Sequence, residues 1–120
     1  MIGLLKDLLG LGGERLGPRQ AVQRMNAGAV LVDVREPGEY AAGHAPGSLH
    51  LPLSCIRAGG AATLDALGLD QGVEEVLLIC HSGMRSRAAR ALLARDRRRR
   101  FVNVDGGMAA WVAAGLPLAR

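Results

Sequence analysis

The stretch EEVLLICHSGMRS, Glu74 to Ser86, decides the fold. Val76 to Ile79 is an unbroken aliphatic run. A run of this length reads as a strand buried on both faces, as a parallel sheet requires, rather than one with a solvated side. The strand ends at Cys80, and the loop from His81 to Arg85 delivers the chain into a helix expected from about Ser86. Ala88, Ala89, Leu92 and Leu93 supply that helix with a packing face. A doubly buried strand that feeds a helix through a short glycine-bearing loop is one βα unit, and such units imply parallel neighbours.

The flanking sequence repeats the unit. AVLVDVR, Ala29 to Arg35, is a second doubly apolar strand, preceded by a helix over Pro18 to Ala27 with proline in its first turn and Gly28 as its stop. Glu36-Pro37-Gly38 breaks the strand, Glu39–Ala42 makes a helical turn, and Pro46-Gly47 turns the chain into the shorter strand SLHLP, Ser48 to Pro52. A modest helix over Ala61 to Leu67 is closed by Gly68. FVNVDG, Phe101 to Gly106, is a further strand, and GGMAAWVAAG, Gly106 to Gly115, a small-residue helix carrying Trp111. This alternation predicts an α/β domain with a parallel sheet and helices on both faces. The expected division is an N-terminal segment over residues 1–16 and one domain over 17–120. In the first, Ile2, Leu5 and Leu9 fall at amphipathic helical spacing before a hinge at Gly12–Gly13.

Composition narrows the class. The chain has 120 residues, 49% of them apolar, but only one Phe, one Trp and one Tyr, so the core must be aliphatic. Seventeen glycines without a repeating period exclude a fibrous chain, and no apolar run approaches the ~20 residues of a membrane span. Two cysteines, Cys55 and Cys80, are too few for a disulfide framework, which suits a reduced, cytoplasmic protein. Three histidines and two cysteines without CxxC or HxxxH spacing offer no metal site. The net charge of +4 is unevenly spread. His81 to Arg100 holds eight arginines against one acid, Asp96, whereas the other hundred residues hold seven bases and ten acids. A positive field behind the cysteine loop would suit an anionic ligand.

Cys80 is the candidate nucleophile. In parallel sheets, ligands collect where strands end and loops enter helices. Backbone N–H groups of such a loop converge on one point, the helix start adds partial positive charge, and Arg85 adds a full one. All three favour thiolate over thiol. Gly83 allows the loop to close around the sulfur.

The CHSGMRS loop, Cys80 to Ser86, resembles the active-site loop of the rhodanese sulfurtransferases. DVREPGEYAAGHAPGSLHLP, Asp33 to Pro52, is similar to that family's first signature, and GGMAAWVAAGLP, Gly106 to Pro117, to its C-terminal one. The resemblance runs from about Gly17 to Leu118 and implies a five-stranded parallel sheet. It also implies an activity without metal or organic cofactor. The Cys80 thiolate takes the sulfane sulfur of an anionic donor, such as thiosulfate or a low-molecular-weight persulfide. The resulting persulfide, cradled by His81, Ser82, Gly83, Met84 and Ser86, passes to a thiol, to cyanide or to an acidic acceptor protein. Arg85 matches the loop arginine and would hold the donor's oxygens. Related phosphatases and arsenate reductases place five residues between cysteine and arginine; here four intervene, and the smaller cradle suits sulfur. A non-catalytic partner-binding module of the same fold is the alternative.

Other residues carry lesser expectations. His81 is expected to line the pocket mouth rather than act as a base, and His44 to be hydrogen-bonded within its turn. Asp33 and Arg35, charges at the end of a buried strand, should pair and support the loop. Cys55 reads as a passive thiol in the loop after the SLHLP strand. Arg95 to Arg100 reads as a basic helix end facing solvent, with no aromatic partners suited to nucleic acid.

Overall fold

The runs read above as strands lie in one parallel sheet. A computed structural model describes residues 15–69 and 71–120, and in it the strands are β1 (Arg15–Leu16), β2 (Val30–Asp33), β3 (Leu49–His50), β4 (Glu75–Ile79) and β5 (Arg100–Val104). Their order across the sheet is β1-β5-β4-β2-β3, all neighbours parallel. The helices are α1 (Pro18–Asn26), α2 (Pro37–Ala42), α3 (Leu53–Gly59), α4 (Ala62–Ala66), α5 (Met84–Leu93) and α6 (Gly107–Ala113). Leu53 and Ile56 of α3, Leu64 of α4, and Ala89 and Leu93 of α5 pack on one face of the sheet, against Val32, Val76 and Leu78. Ala21 of α1 and Met108 and Trp111 of α6 pack on the other, against Leu31, Leu77 and Val102. The five-stranded α/β architecture with helices on both faces is therefore present.

Four differences from the sequence reading have physical causes. The fifth strand, Arg15–Leu16, pairs with Asn103 and Val104 and lies on residues grouped above with the N-terminal segment. Two residues carry no periodicity, and the pairing exists only because β5 offers an open edge. The amphipathic helix and glycine hinge expected before it lie outside the described residues. Cys55 stands in a helix, α3, rather than a loop. LSCIRAG mixes strong helix formers (Leu53, Arg57, Ala58) with weaker ones, and burial of Leu53 and Ile56 on the sheet holds it helical. Helix α5 starts at Met84, two residues earlier than expected, because Gly83 takes the left-handed conformation at φ 103° and caps it. Helix α5 also ends at Leu93, so Arg95 to Arg99 form the turn into β5 rather than a helix end.

The order of strands fixes where a site can form. From β2 the chain leaves toward β3 on one side; from β4 it leaves toward β5 on the other. The crevice beyond the carboxyl ends of β2 and β4 is the switch point at which open α/β sheets take ligands. Cys80 follows the last residue of β4, and Asp33, in register with Ile79, ends β2.

Asp33 is fully buried, and Arg35 nearly so. Arg35 Nε donates to both Asp33 oxygens at 3.0 Å, and Nη2 donates to Oδ2 at 2.8 Å and to the Gly43 carbonyl at 2.7 Å. This fork ties the end of β2 to the turn beyond α2. Replacing Arg35 with Met is expected to strand a buried carboxylate and cost about 3–5 kcal/mol, measured by urea unfolding followed by circular dichroism.

Candidate active site

Cys80 lies just beyond the carboxyl end of β4, 1% exposed. The Gly83 N–H donates to its Sγ at 3.1 Å, and the buried Ser86 hydroxyl lies 3.3 Å from it. Burial pushes the thiol up, but the Ser86 hydroxyl and the backbone N–H groups of Ser86, Gly83 and Ser82 outweigh it, and the net shift is downward. Ser86 Oγ also lies 3.1 Å from the Gly83 carbonyl. Its single proton can point to Gly83 while the thiol donates to Oγ, or turn to the sulfur once the thiolate forms. The site therefore satisfies both protonation states without moving the backbone.

The back of the loop is held by α6. Met108 N–H donates to the Cys80 carbonyl at 2.7 Å, and Ala109 N–H to the His81 carbonyl at 3.0 Å. In a trans peptide the carbonyl and the following N–H point in opposite directions. Anchoring the His81 carbonyl to α6 thus turns the Ser82 N–H to the sulfur's side, consistent with its share in lowering the Cys80 pKa. This contact requires glycine at position 107. A Cβ there would stand 2.2 Å from the Cys80 oxygen and 2.6 Å from the His81 oxygen, and φ is +57°.

Three comparisons bear on this loop. A model of the rhodanese-like domain matches residues 17–114. The chain belongs to the rhodanese-like family. It is 34% identical over 98 residues to the thiosulfate sulfurtransferase GlpE of Pseudomonas entomophila, covering 82% of this chain and 84% of that one. It is also 34% identical over 114 residues to the HTH-type transcriptional regulator Rv0324 of Mycobacterium tuberculosis, covering 93% of this chain but only 47% of the regulator. Of solved structures, a rhodanese-related protein from Thermoplasma volcanium superposes with a TM-score of 0.73 at 26% identity, over 89% of this chain and 98% of that one. A thiosulfate sulfurtransferase from Pseudomonas aeruginosa gives 0.75 at 28%, over 88% and 19%. A family that includes both a sulfurtransferase and a regulator leaves the activity of this rhodanese-like domain to be argued from its own residues.

Arg85 does not point freely into the rhodanese-like crevice. Its Nη1 and Nη2 donate to Glu39 Oε1 and Oε2 at 2.6 and 2.8 Å, a bidentate pair. The Arg85 guanidinium holds the Glu39 carboxyl down to about 2, against some desolvation. Because that value is depressed, the bridge contributes fully above the ordinary carboxylate pKa and is lost as pH falls through about 2. Glu39 rides on α2, with its Oε1 accepting the Glu36 N–H at 3.2 Å. The next residue, Tyr40, is sandwiched between the His44 and His50 rings, at centroid distances of 3.8 and 4.4 Å. His44 Nδ1 bonds the Tyr40 carbonyl at 2.8 Å, and His50 Nε2 the Arg35 carbonyl at 2.7 Å. His44 is thus bonded within its turn, and Asp33 and Arg35 support α2, which in turn supports Arg85.

The remaining sequence candidates separate clearly. His81, Ser82 and Met84 are exposed on the loop, Met84 at 75%; Gly83 and Ser86 are buried within it. Cys55 is exposed on α3. Among the described residues, no group of three or more His, Cys, Asp and Glu side chains forms a metal cluster. The arginine run is remote: Arg100 pairs in register with Glu75 at the start of β4, the opposite edge from Cys80. A cleft of about 780 Å³ opens there, but Arg24 and Arg100 hold Glu75, and Arg98 holds Asp96. Sequence reasoning missed Glu39 and Gly107. The Glu-Tyr and Gly-Gly pairs were visible within the two flanking signatures, but nothing in a linear string shows which loop they touch.

Two substitutions test the cage. Ser86→Ala removes the largest of the bonds that favour the thiolate, so the midpoint of Cys80 alkylation by iodoacetamide should move to higher pH. Gly107→Ala should destabilise the domain by about 2–4 kcal/mol through strain and overpacking, seen as a lowered urea midpoint.

Proposed function

We propose that this domain is a sulfurtransferase in which Cys80 carries a sulfane sulfur as a persulfide between an anionic donor and a thiophilic acceptor. The observation that carries the reading is the cage around Cys80 Sγ. The Gly83 N–H donates to the sulfur at 3.1 Å, the Ser86 hydroxyl lies 3.3 Å from it, and the backbone N–H groups of Ser82 and Ser86 add to their effect on the thiol. Such donors lower the thiol pKa to make the nucleophile, and they can then hold the negative terminal sulfur of the persulfide. Among the described residues, no carboxylate or imidazole is hydrogen-bonded to Sγ as a general base. Sulfur transfer needs none, because the thiolate is formed before attack.

In the forward step the Cys80 thiolate attacks the outer sulfur of the donor. The donor's S–S bond breaks, its electron pair leaves with sulfite or with a thiolate, and a new S–S bond joins Cys80 to the transferred sulfur. An acceptor thiolate, cyanide or an acidic acceptor protein then attacks that outer sulfur and releases the Cys80 thiolate. The GlpE relative supports this reading. A purely partner-binding role, which the Rv0324 relative keeps in view, gives no reason for a buried thiol with a lowered pKa.

Incubation with thiosulfate or glutathione persulfide should add one sulfur atom to Cys80, read by peptide mass spectrometry and released by cyanide as thiocyanate. Cys80→Ser should reduce thiocyanate formation to the uncatalysed rate. Retained turnover in that variant would falsify the assignment.

A further inference from the structure

Arg85 is the one cation of the Cys80–Ser86 loop, and its guanidinium fork is already occupied. Both oxygens of Glu39 sit on it, in the bidentate arrangement that a sulfonate or phosphate would otherwise take. The carboxylate is also fixed from behind by the Glu36 N–H, and α2 is fixed by the Tyr40 stack and the Arg35 fork. A donor's oxygens would have to displace an anion that is already bonded and positioned.

Charge adds to the geometry. The groups that act on Arg85 are Glu39, Cys80 and Glu36, all anionic once the thiolate forms. Arg35 also acts on Glu39, but it is matched by Asp33 at 2.8 Å. Arg85, already paired with Glu39, thus has the Cys80 thiolate and Glu36 as further anionic neighbours. The arginine run that makes the chain basic lies at the far end of β4 and does not correct this balance. The same loop presents Met84, 75% exposed, an apolar thioether suited to a carbon-bearing ligand.

We infer that Glu39 selects the sulfur donor, closing Arg85 to oxyanion donors such as thiosulfate and leaving the crevice to organic persulfides, R–S–SH. This rests on the sulfurtransferase reading above and names its substrate class. In the step, the Cys80 thiolate attacks the terminal sulfur of R–S–SH. The S–S bond of the donor breaks, a new S–S bond forms between Cys80 and the transferred sulfur, and R–S⁻ leaves with the electron pair and takes a proton from solvent. Nothing is oxidised or reduced overall, and no oxyanion needs to be bound at any stage.

The test measures second-order rates of Cys80 persulfide formation with thiosulfate and with glutathione persulfide, in the wild-type protein and in Glu39→Gln and Glu39→Asp. Expected is a rise of at least tenfold in the thiosulfate-to-glutathione-persulfide ratio for Glu39→Gln, and a smaller rise for Glu39→Asp, which keeps the charge. The wild-type thiosulfate rate should also increase with added salt, as screening relieves like-charge repulsion. A purely structural role would lower both rates together, and an unchanged ratio overturns the inference while leaving the sulfurtransferase intact. Should Glu39→Gln fail to fold, a wild-type thiosulfate rate that falls with salt overturns it equally. No sulfur on Cys80 from either donor in any of the proteins would instead remove the sulfurtransferase reading itself.

Discussion

The site depends on two backbone hydrogen bonds that do not touch the sulfur. Met108 and Ala109 at the start of α6 hold the carbonyls of Cys80 and His81. Because each peptide is planar and trans, fixing its carbonyl on one side aims its N–H to the other. The loop can then turn its donors inward and still satisfy its acceptors, which a short buried loop could not otherwise do. Gly107 permits the approach, Gly83 permits the turn, and the Cys80 thiol inherits its lowered pKa from both.

A second layer of constraint comes from β2. Charges at the end of a doubly buried strand are tolerated because Asp33 and Arg35 satisfy each other almost completely. The spare donor of Arg35 reaches the Gly43 carbonyl and pins the turn after α2. Helix α2 in turn presents Glu39 to Arg85. The guanidinium of the cysteine loop is thus placed by a chain of contacts that begins in the core of the sheet.

Positive charge has two unrelated uses in this chain. The excess between His81 and Arg100 looks in the sequence like one field behind the cysteine. In the structure the strand separates it into two ends. Arg85 serves the crevice and is neutralised by Glu39; Arg98 and Arg100 serve the opposite edge, where Asp96, Asp65 and Glu75 take them up. Arg99, nearly buried, donates to the Val73 carbonyl there. Net charge in a window of sequence therefore overstated the field at the sulfur.

Doubly apolar runs by themselves determined the parallel sheet, and the residue types of Cys80 to Ser86 singled out Cys80 as the candidate nucleophile, because burial pattern and thiol chemistry are local properties. Elements made by long-range pairing were not legible: two residues of β1 have no period, and α3 is helical only because Leu53 and Ile56 find α5 and the sheet. The same divide runs through the site. Gly83, Arg85 and Ser86 are within six residues of the sulfur and could be read beside it. Glu39 is 46 residues from Arg85 and Gly107 is 27 from Cys80, so only the folded chain could show that one occupies the guanidinium and the other shapes the cage. Tertiary structure decided what the arginine is free to bind, since a side chain's availability is set by its partners and not by its place in the motif.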